Sequence, residues 1–398
     1  MPGPLEGIRI LDLTWVLSGP YASMVLSDLG AEVVKVERPP FGDIARTNGP
    51  FINGESCYFF SINRGKQSIA IDLGRQAGRD LFLRLVDEAD VVMENFTPGV
   101  MDRLGLGYEA LRRRNPRLVY AAVSGFGQTG PYRERPALDV IVQGMGGIMS
   151  ITGQPGGPPI RPGASYGDIV AGLFAAVGVL AALQERTRSG LGQLVDVSML
   201  DCQIAALENA FMRYFATGQV PGPLGTRHPT STPFQAFETK DGHIVIALSW
   251  NVESQWEVLC GLIGCPELID DPRFTTSALR TEHHAALEPV LAAALRQRTT
   301  AEWLAEFGPL DLPCGPVNTI AEAAADPQVA AREMLVDVDH PVIGPLKLAN
   351  TPVRLSRTPG AIRGPSPAVG EHTETALETW LGLDPDEIVS LHRDGAIP

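Results

Sequence analysis

Apolar and polar positions in the first half of the chain alternate between two periods. Residues 8–13 form a short apolar run, and 32–37 (EVVKVE) is rich in β-branched residues. Stretches 68–72, 90–93 and 118–123 repeat the strand pattern. Helical patterns lie between them. Residues 20–29 start on Pro20 and stop before Gly30, residue types that open and close helices. Residues 75–88 form an amphipathic helix. Strands alternating with helices predict a parallel sheet covered on both faces, with active-site loops outside the carboxyl ends of its strands.

The second half reads differently. An apolar run of 15 residues, 169–183, is too short to span a bilayer comfortably and predicts a buried helix. Residues 200–215 carry Leu200, Ile204, Leu207 and Phe211 at helical spacing, which predicts one further helix. Residues 217–232 (TGQVPGPLGTRHPTST) shift to Gly, Pro and Thr and read as a linker. A hairpin over 234–247, turning at Lys240-Asp241-Gly242, opens a new unit. Helices around Gln255, Ala285 and Ala301 follow. The last stretch, 326–398, is Pro-rich in part and ends in a short helix over 371–381. No internal repeat is visible.

Composition narrows the classes. A chain of 398 residues suits about two or three domains. With 32 basic against 46 acidic residues the net charge is −14, which disfavours nucleic acid as a partner. An anionic ligand must then be caught by a few Arg or Lys, backbone amides and helix N-termini. The five cysteines are scattered without CxxC spacing, which reads as a reduced, cytoplasmic chain. The seven histidines form no HExxH-like cluster, so no metal is expected. No basic-then-apolar leader is seen at residues 1–7.

Four places merit a chemical reading, each beside a bland one. Gly125-Phe126-Gly127-Gln128-Thr129-Gly130 fits GxGxxG, but Pro131 to Pro136 cannot open a helix at once, and no acid follows at dinucleotide spacing. A tight loop is the better reading. Glu37 ends a strand, where it reads as solvated, with Arg38 beside it the more useful anion contact. Glu94-Asn95-Phe96-Thr97-Pro98-Gly99 follows a buried strand and reads by itself as a turn. Asp168, after Gly163-Ala164-Ser165-Tyr166-Gly167, reads as a helix N-cap. A helix start also favours an ionised carboxylate, which can attack a thioester carbonyl.

Taken in order, the segments LEGIRILDLTWVLSGPYASMVLSDLGAEVVKVERPPFGD, NRGKQSIAIDL, VVMENFTPGVMDRLGLGYEAL, PRLVYAAVSGFGQTGP, RPGASYGDIVAGLFAAVGVLAAL, GQLVDVSML, PCGPVNTIAEAAADPQV and GEHT resemble the class III CoA-transferases of the formyl-CoA transferase type. The resemblance covers nearly the whole chain. It implies an α/β fold: a Rossmann-like large domain begun by 1–216 and completed by 326–398, a linker at 217–232, and a smaller inserted α+β domain at 233–325. It also implies an interlinked homodimer.

The resemblance implies a mechanism as well. Asp168 would attack an acyl-CoA thioester, giving an aspartyl anhydride and then an aspartyl-CoA thioester. Coenzyme A is substrate there, and no permanent cofactor is implied. The family's CoA contacts fall on Leu17, Ser18, Arg38, Asp72, Leu73, Asn95, Phe96, Thr97 and Arg103, with Arg38 and Arg103 facing the nucleotide phosphates. Leu17 stands where the formyl-CoA enzymes carry Gln, so backbone amides would have to serve the reacting carbonyl. Residues 248–252 (LSWNV) lack that type's glycine-rich loop. Both departures argue against oxalate and formyl-CoA. Leu138 precedes Asp139 where the superfamily's racemases place His, which removes one base of a proton-transfer pair.

The pattern looks nearest to members that use succinyl-CoA with dicarboxylates such as glutarate, mesaconate, malate or citramalate. Arg46, Arg161 and His228 are alternative holders of the distal carboxylate. The competing readings are an acyl-CoA racemase or isomerase, a non-catalytic CoA-binding protein, and a nicotinamide dehydrogenase resting only on the glycine match.

Overall fold

The computed structural model describes residues 2–249 and 252–398. Trp250 and Asn251, on which the missing-glycine argument partly rests, lie outside the described residues. By its contacts the chain divides into two compact units, one of residues 1–149, 161–219 and 328–398, the other of 150–160 and 220–327.

The first unit holds a parallel sheet. In chain order its labelled elements begin with β1 (Arg9–Asp12), α1 (Ser18–Asp28), β2 (Glu32–Glu37), α2 (Cys57–Asn63), β3 (Gln67–Ala70), α3 (Gln76–Glu88), β4 (Val91–Glu94) and β5 (Val119–Ser124). They continue through α4 (Asp139–Gly146), α5 (Tyr166–Ser189), β6 (Leu194–Ser198), α6 (Met199–Ala206) and α7 (Glu208–Thr217). The strand order is β3-β2-β1-β4-β5-β6, all neighbours parallel. Order reverses beside β1, the place where open α/β sheets leave a crevice at their carboxyl edge.

Both faces of the sheet are buried. On one, Leu11, Val34, Ile69 and Val92 meet Phe82 and Leu85 of α3. On the other, Ile10, Val33, Val91 and Val119 meet Leu26 of α1 and Ala171, Ala175 and Val179 of α5. Small residues in α5 let it lie close: a Cβ at Gly172 would sit 2.7 Å from the Ser18 carbonyl oxygen. This helix runs well past the predicted 169–183. Its 24 residues are apolar and long enough to cross a membrane by length and composition, yet its small-residue face is buried against the sheet.

The chain's last part completes the first core. Leu377 and Trp380 of α8 (Thr373–Leu381), Ile388 of α9 (Pro385–Arg393), then Ala396 and Ile397, pack with Phe82 and Leu85. Their segment also bonds along the strand at that sheet edge: His372 N–H donates to the Ser68 carbonyl, Ala70 N–H to Thr373 Oγ1, and Asp72 N–H to the Ala396 carbonyl. A hairpin, Leu335–His340 with Gly344–Ala349, was not anticipated, nor was α9. The helix expected over 200–215 is broken at Leu207 into α6 and α7.

The second unit is built on an antiparallel sheet of Phe234–Glu238, His243–Ala247 and Cys314–Pro316. The expected turn is present, with Thr239 N–H donating to the Gly242 carbonyl at 2.9 Å and Asp241 accepting from Thr300 N–H. Trp256, Phe274, Leu287, Trp303 and Phe307 form its core with the sheet. Residues 150–160 and 220–232 belong to this unit.

Candidate active site

Leu17 and Ser18, Arg38, Asp72 and Leu73, and Asn95 to Thr97 follow β1, β2, β3 and β4, four neighbours in the sheet. Parallel pairing therefore sets all of them along one carboxyl edge. Asn95 clamps the segment after β1 in a two-way amide pairing: its Oδ1 accepts from Trp15 N–H and its Nδ2 donates to the Trp15 carbonyl, both at 2.8 Å. Nδ2 also reaches Ser18 Oγ at 3.3 Å. Phe96 leans on Trp15, with ring centroids 5.7 Å apart. Residues 94–97 are thus more than a turn; they hold the start of α1.

Behind them lies Glu94. Its carboxyl accepts from Phe96 N–H at 2.7 Å and from the Tyr120 hydroxyl. Burial lifts its pKa to about 7, although those two hydrogen bonds pull it down. Beyond Phe96, Thr97, Pro98, Gly99, Asp102, Arg103, Arg133 and Glu134 line a cleft of about 470 Å³. Arg133 was not singled out from the sequence. A Cβ at Gly99 would lie 3.3 Å from Arg103 Nη1 and 3.9 Å from Arg133 Nη2, so the two guanidinium groups converge there. Residues 131–135 form turns, as their Pro-flanked, charged sequence predicts.

Arg38 is exposed, and among the described residues it has no carboxylate partner. Asp72 binds Gly74 N–H and pairs with Arg75, while the Leu73 carbonyl accepts from Arg79. Glu37 is not a solvated strand end. It is 3% exposed, and its oxygens take Arg46, Ser68 Oγ and Asp43 N–H. Arg46 donates twice to Glu37 and lies flat over Phe59, so its guanidinium is committed to the fold and drops out as a carboxylate holder.

Asp168 corrects one expectation and sharpens another. It is not the N-cap: α5 begins at Tyr166, Ser165 holds the cap position without a side-chain bond, and Asp168 is in the first turn. The helix end is instead capped from α4. Asp139 Oδ1 accepts Gly167 N–H at 2.8 Å, while Oδ2 accepts from Arg161 Nη2 at 2.8 Å and Gln143 Nε2 at 2.7 Å. Both oxygens of Asp139 are engaged, and Leu138 beside it is exposed. Positions 138 and 139 thus offer no base for proton exchange at a carbon, which disfavours the racemase reading.

Among the described residues nothing donates a hydrogen bond to the Asp168 carboxylate. It is half-buried, and burial first, then the charge of Asp139, push its pKa up to about 7, against the pull of Arg161. The favourable helix end is outweighed because Asp139, not Asp168, takes its amide. The outcome is a carboxylate with little stabilisation of its charge, a good starting state for a nucleophile. Tyr58 on α2 faces the same group. Burial and the charges of Asp168, Asp43 and Asp139 raise its hydroxyl to about 12, so it stays protonated.

Sequence reading also missed a buried charge network under this edge. Lys66 Nζ meets Asp12 Oδ2 at 3.0 Å and Lys35 Nζ meets Asp43 Oδ2 at 3.0 Å, all four side chains at most 1% exposed. Burial works against the Asp12 charge, but Lys66 and Lys35 outweigh it and bring the carboxyl to about 2. The signal was present: a Lys inside the apolar run EVVKVE needs a buried partner. Among the described residues no group of three or more His, Cys, Asp and Glu is placed to hold a metal ion.

A doubly covered parallel sheet with an acid on a helix start, facing loops from four strand ends, defines an α/β enzyme whose site takes a ligand at the carboxyl edge. The chain belongs to CoA-transferase family III, whose profile it matches over residues 5–373. It is 45% identical over 355 residues to the acetyl-CoA:oxalate CoA-transferase of Acetobacter aceti, covering 89% of this chain and 90% of that protein. It is 40% identical to the succinyl-CoA:glutarate CoA-transferase of Mus musculus over 99% of this chain and 90% of that one. Among solved structures, a CAIB/BAIF family protein from Brucella suis superposes with a TM-score of 0.85 at 39% identity, over 96% of this chain and 100% of that one.

Proposed function

We propose that this protein transfers coenzyme A from an acyl-CoA, succinyl-CoA foremost, to a dicarboxylic acid acceptor, with Asp168 as nucleophile. The carrying observation is the Asp168 carboxylate itself: half-buried, accepting no hydrogen bond among the described residues, and one turn before Gly172, where α5 meets the start of α1. Its oxygen attacks the thioester carbonyl and the CoA thiolate leaves, giving an aspartyl-acyl anhydride. The thiolate attacks the Asp168 carbonyl, releasing the donor acid and leaving an aspartyl-CoA thioester. The acceptor carboxylate attacks that carbonyl and again expels the thiolate. Thiolate attack on the acceptor's carbonyl then frees acyl-CoA and restores Asp168. The anhydride retains the free energy of the thioester, so no ATP is required if water is kept out.

Leu17, Ser18, Asn95 and Phe96 would hold the pantetheine end, and Arg38, Asp72, Leu73, Thr97 and Arg103 the nucleotide. The location of these residues along one edge supports the assignment, as does the cleft at Thr97 and Arg103. Arg161 and His228 remain the candidate holders of the distal carboxylate. Exposed large apolar side chains, among them Leu138, Ile141, Phe174, Val177, Met212 and Phe215, support the interlinked homodimer. Five unpaired cysteines support a cytoplasmic setting.

A second acceptor, oxalate with acetyl-CoA as donor, is favoured by the 45% identity to the Acetobacter enzyme. The test supplies succinyl-CoA or acetyl-CoA with glutarate, mesaconate, malate, citramalate or oxalate and follows CoA esters by mass spectrometry. New acyl-CoA without ATP is expected, and absent with Asp168→Asn. No new ester with any pair, or solvent deuterium entering the α-carbon instead, would overturn the reading.

A further inference from the structure

Val16 adopts φ +64°, a left-handed backbone conformation that a β-branched residue avoids. Such strain persists only where surrounding structure enforces it. Three side chains, those of Asp43, Lys35 and Asn95, do so here. Val16 N–H donates to Asp43 Oδ1 at 3.1 Å. Lys35, 1% exposed, donates to the Thr14 carbonyl and faces Asp43 Oδ2 at 3.0 Å. Asn95 holds Trp15 from the other side. Asp43 is itself anchored: its N–H donates to Glu37 and its Oδ1 accepts from Ala45 N–H. The residues that follow Val16 are Leu17 and Ser18, whose N–H groups meet no acceptor among the described residues, and Leu17 carries no side-chain cap.

The register between helices places this segment against the nucleophile. Gly172 of α5 touches Ser18. Asp168, one turn earlier on the same face, is therefore carried about 5 Å beyond that contact, toward residues 15–17. Leucine at 17 has no side-chain donor, so the backbone must supply any donor this segment offers to a developing oxyanion, and it must be aimed before the reaction begins.

We propose that the buried Lys35–Asp43 ion pair is a positioning device for catalysis: it locks Val16 in the left-handed conformation and thereby aims the Leu17 and Ser18 amides at the carbonyl that Asp168 attacks. Neither residue touches substrate. The inference rests on the transferase reading above. A buried pair is poor at adding stability compared with apolar packing, which suits a role in specifying one local conformation.

The test uses Asp43→Asn, Lys35→Met and Val16→Asn in the full-length enzyme. Asparagine at 43 keeps an oxygen for the Val16 and Ala45 amides, so that variant retains the local bonds while losing the charge. Lys35→Met removes the pair from the other side. Each is expected to lower kcat about 10- to 100-fold with KM for the acyl-CoA within about twofold, since the loss is confined to the transition state. Asparagine tolerates the left-handed region, so Val16→Asn added to Asp43→Asn should recover most of kcat.

Folded variants with kcat within twofold of wild type would overturn the proposal. So would a Val16→Asn double variant that regained thermal stability but not kcat, because a merely structural pair predicts that result. If wild type itself transferred CoA to no acid, the transferase reading would fall, and the inference with it. Active wild type with indifferent variants would remove the inference alone.

Discussion

At the scale of single residues, the proton on Asp168 sets the expected pH behaviour. Its pKa, about 7 in the free protein against 3.8 for an ordinary aspartate, leaves the proposed nucleophile half-protonated near neutrality. Then kcat/KM for acyl-CoA should rise tenfold per pH unit below about 7 and flatten above it, measured as initial rates across pH. Stability should move the other way. A carboxyl whose folded pKa exceeds its unfolded value keeps its proton longer when folded, so its contribution is full below 3.8 and is lost as pH rises through about 7. Asp168→Asn should therefore raise Tm at pH 8 and lose that advantage at pH 4, read by calorimetry. A lower Tm at pH 8 would mean that the charge is stabilised by partners. The order of motifs singled out Asp168 in the sequence, but its raised pKa was not legible there. That value depends on Asp139, 29 positions earlier, taking the amide that a local reading gives to Asp168.

At the scale of elements, helix α5 carries Asp168, the proposed nucleophile, and Gly172 sets the distance of that helix from α1. A side chain there meets the Ser18 carbonyl at 2.7 Å, a backbone atom that cannot swing away. Gly172→Val should push the two helix starts apart, lowering kcat at least about 10-fold, because small misplacements at a reacting centre are costly. It should also lower Tm through overpacking, by about 1–3 kcal/mol of stability. Equal kcat in the variant would show that the two helix starts need not be close. Five of the six strands of the parallel sheet were legible as apolar or β-branched runs, and α1, α3 and α5 from their helix-end residues, amphipathic period and apolar run, because each buries an apolar face; β6, with its exposed and charged positions, was not. The break at Leu207 was not, since both α6 and α7 keep helical spacing across it. Nor was the hairpin Leu335–His340 with Gly344–Ala349 foreseen, although Val336-Asp337-Val338-Asp339 and Leu346-Lys347-Leu348 alternate apolar and charged residues as a half-exposed strand does. The catalytic edge was foreseeable as an edge. The clamp of Asn95 on Trp15 was not, because it joins residues 80 positions apart.

At the scale of the whole molecule, an acidic protein has to bind a polyanion. Net charge −14 repels coenzyme A, and under the proposed assignment the local guanidinium groups at Arg38, Arg103 and Arg133 would overcome it. Arg103→Ala should raise KM for acyl-CoA with little change in kcat, and the effect should shrink with added salt, as steady-state kinetics at two ionic strengths will show. Assembly is the second property at this scale. Val177 is 59% and Phe215 72% exposed, and a Val177→Glu, Phe215→Glu variant should sediment as a monomer if those side chains join two chains.

The same architecture bears on how the chain comes off the ribosome. The outer edge of the sheet at Gln67–Ala70 is bonded and covered by residues from 370 onward, so about three hundred residues separate the two halves of one core. Through most of synthesis Phe82 and Leu85 wait without Leu377 and Trp380. A nascent chain stalled before these arrive carries an open strand edge and bare apolar surface, the form that chaperones bind and proteases clear.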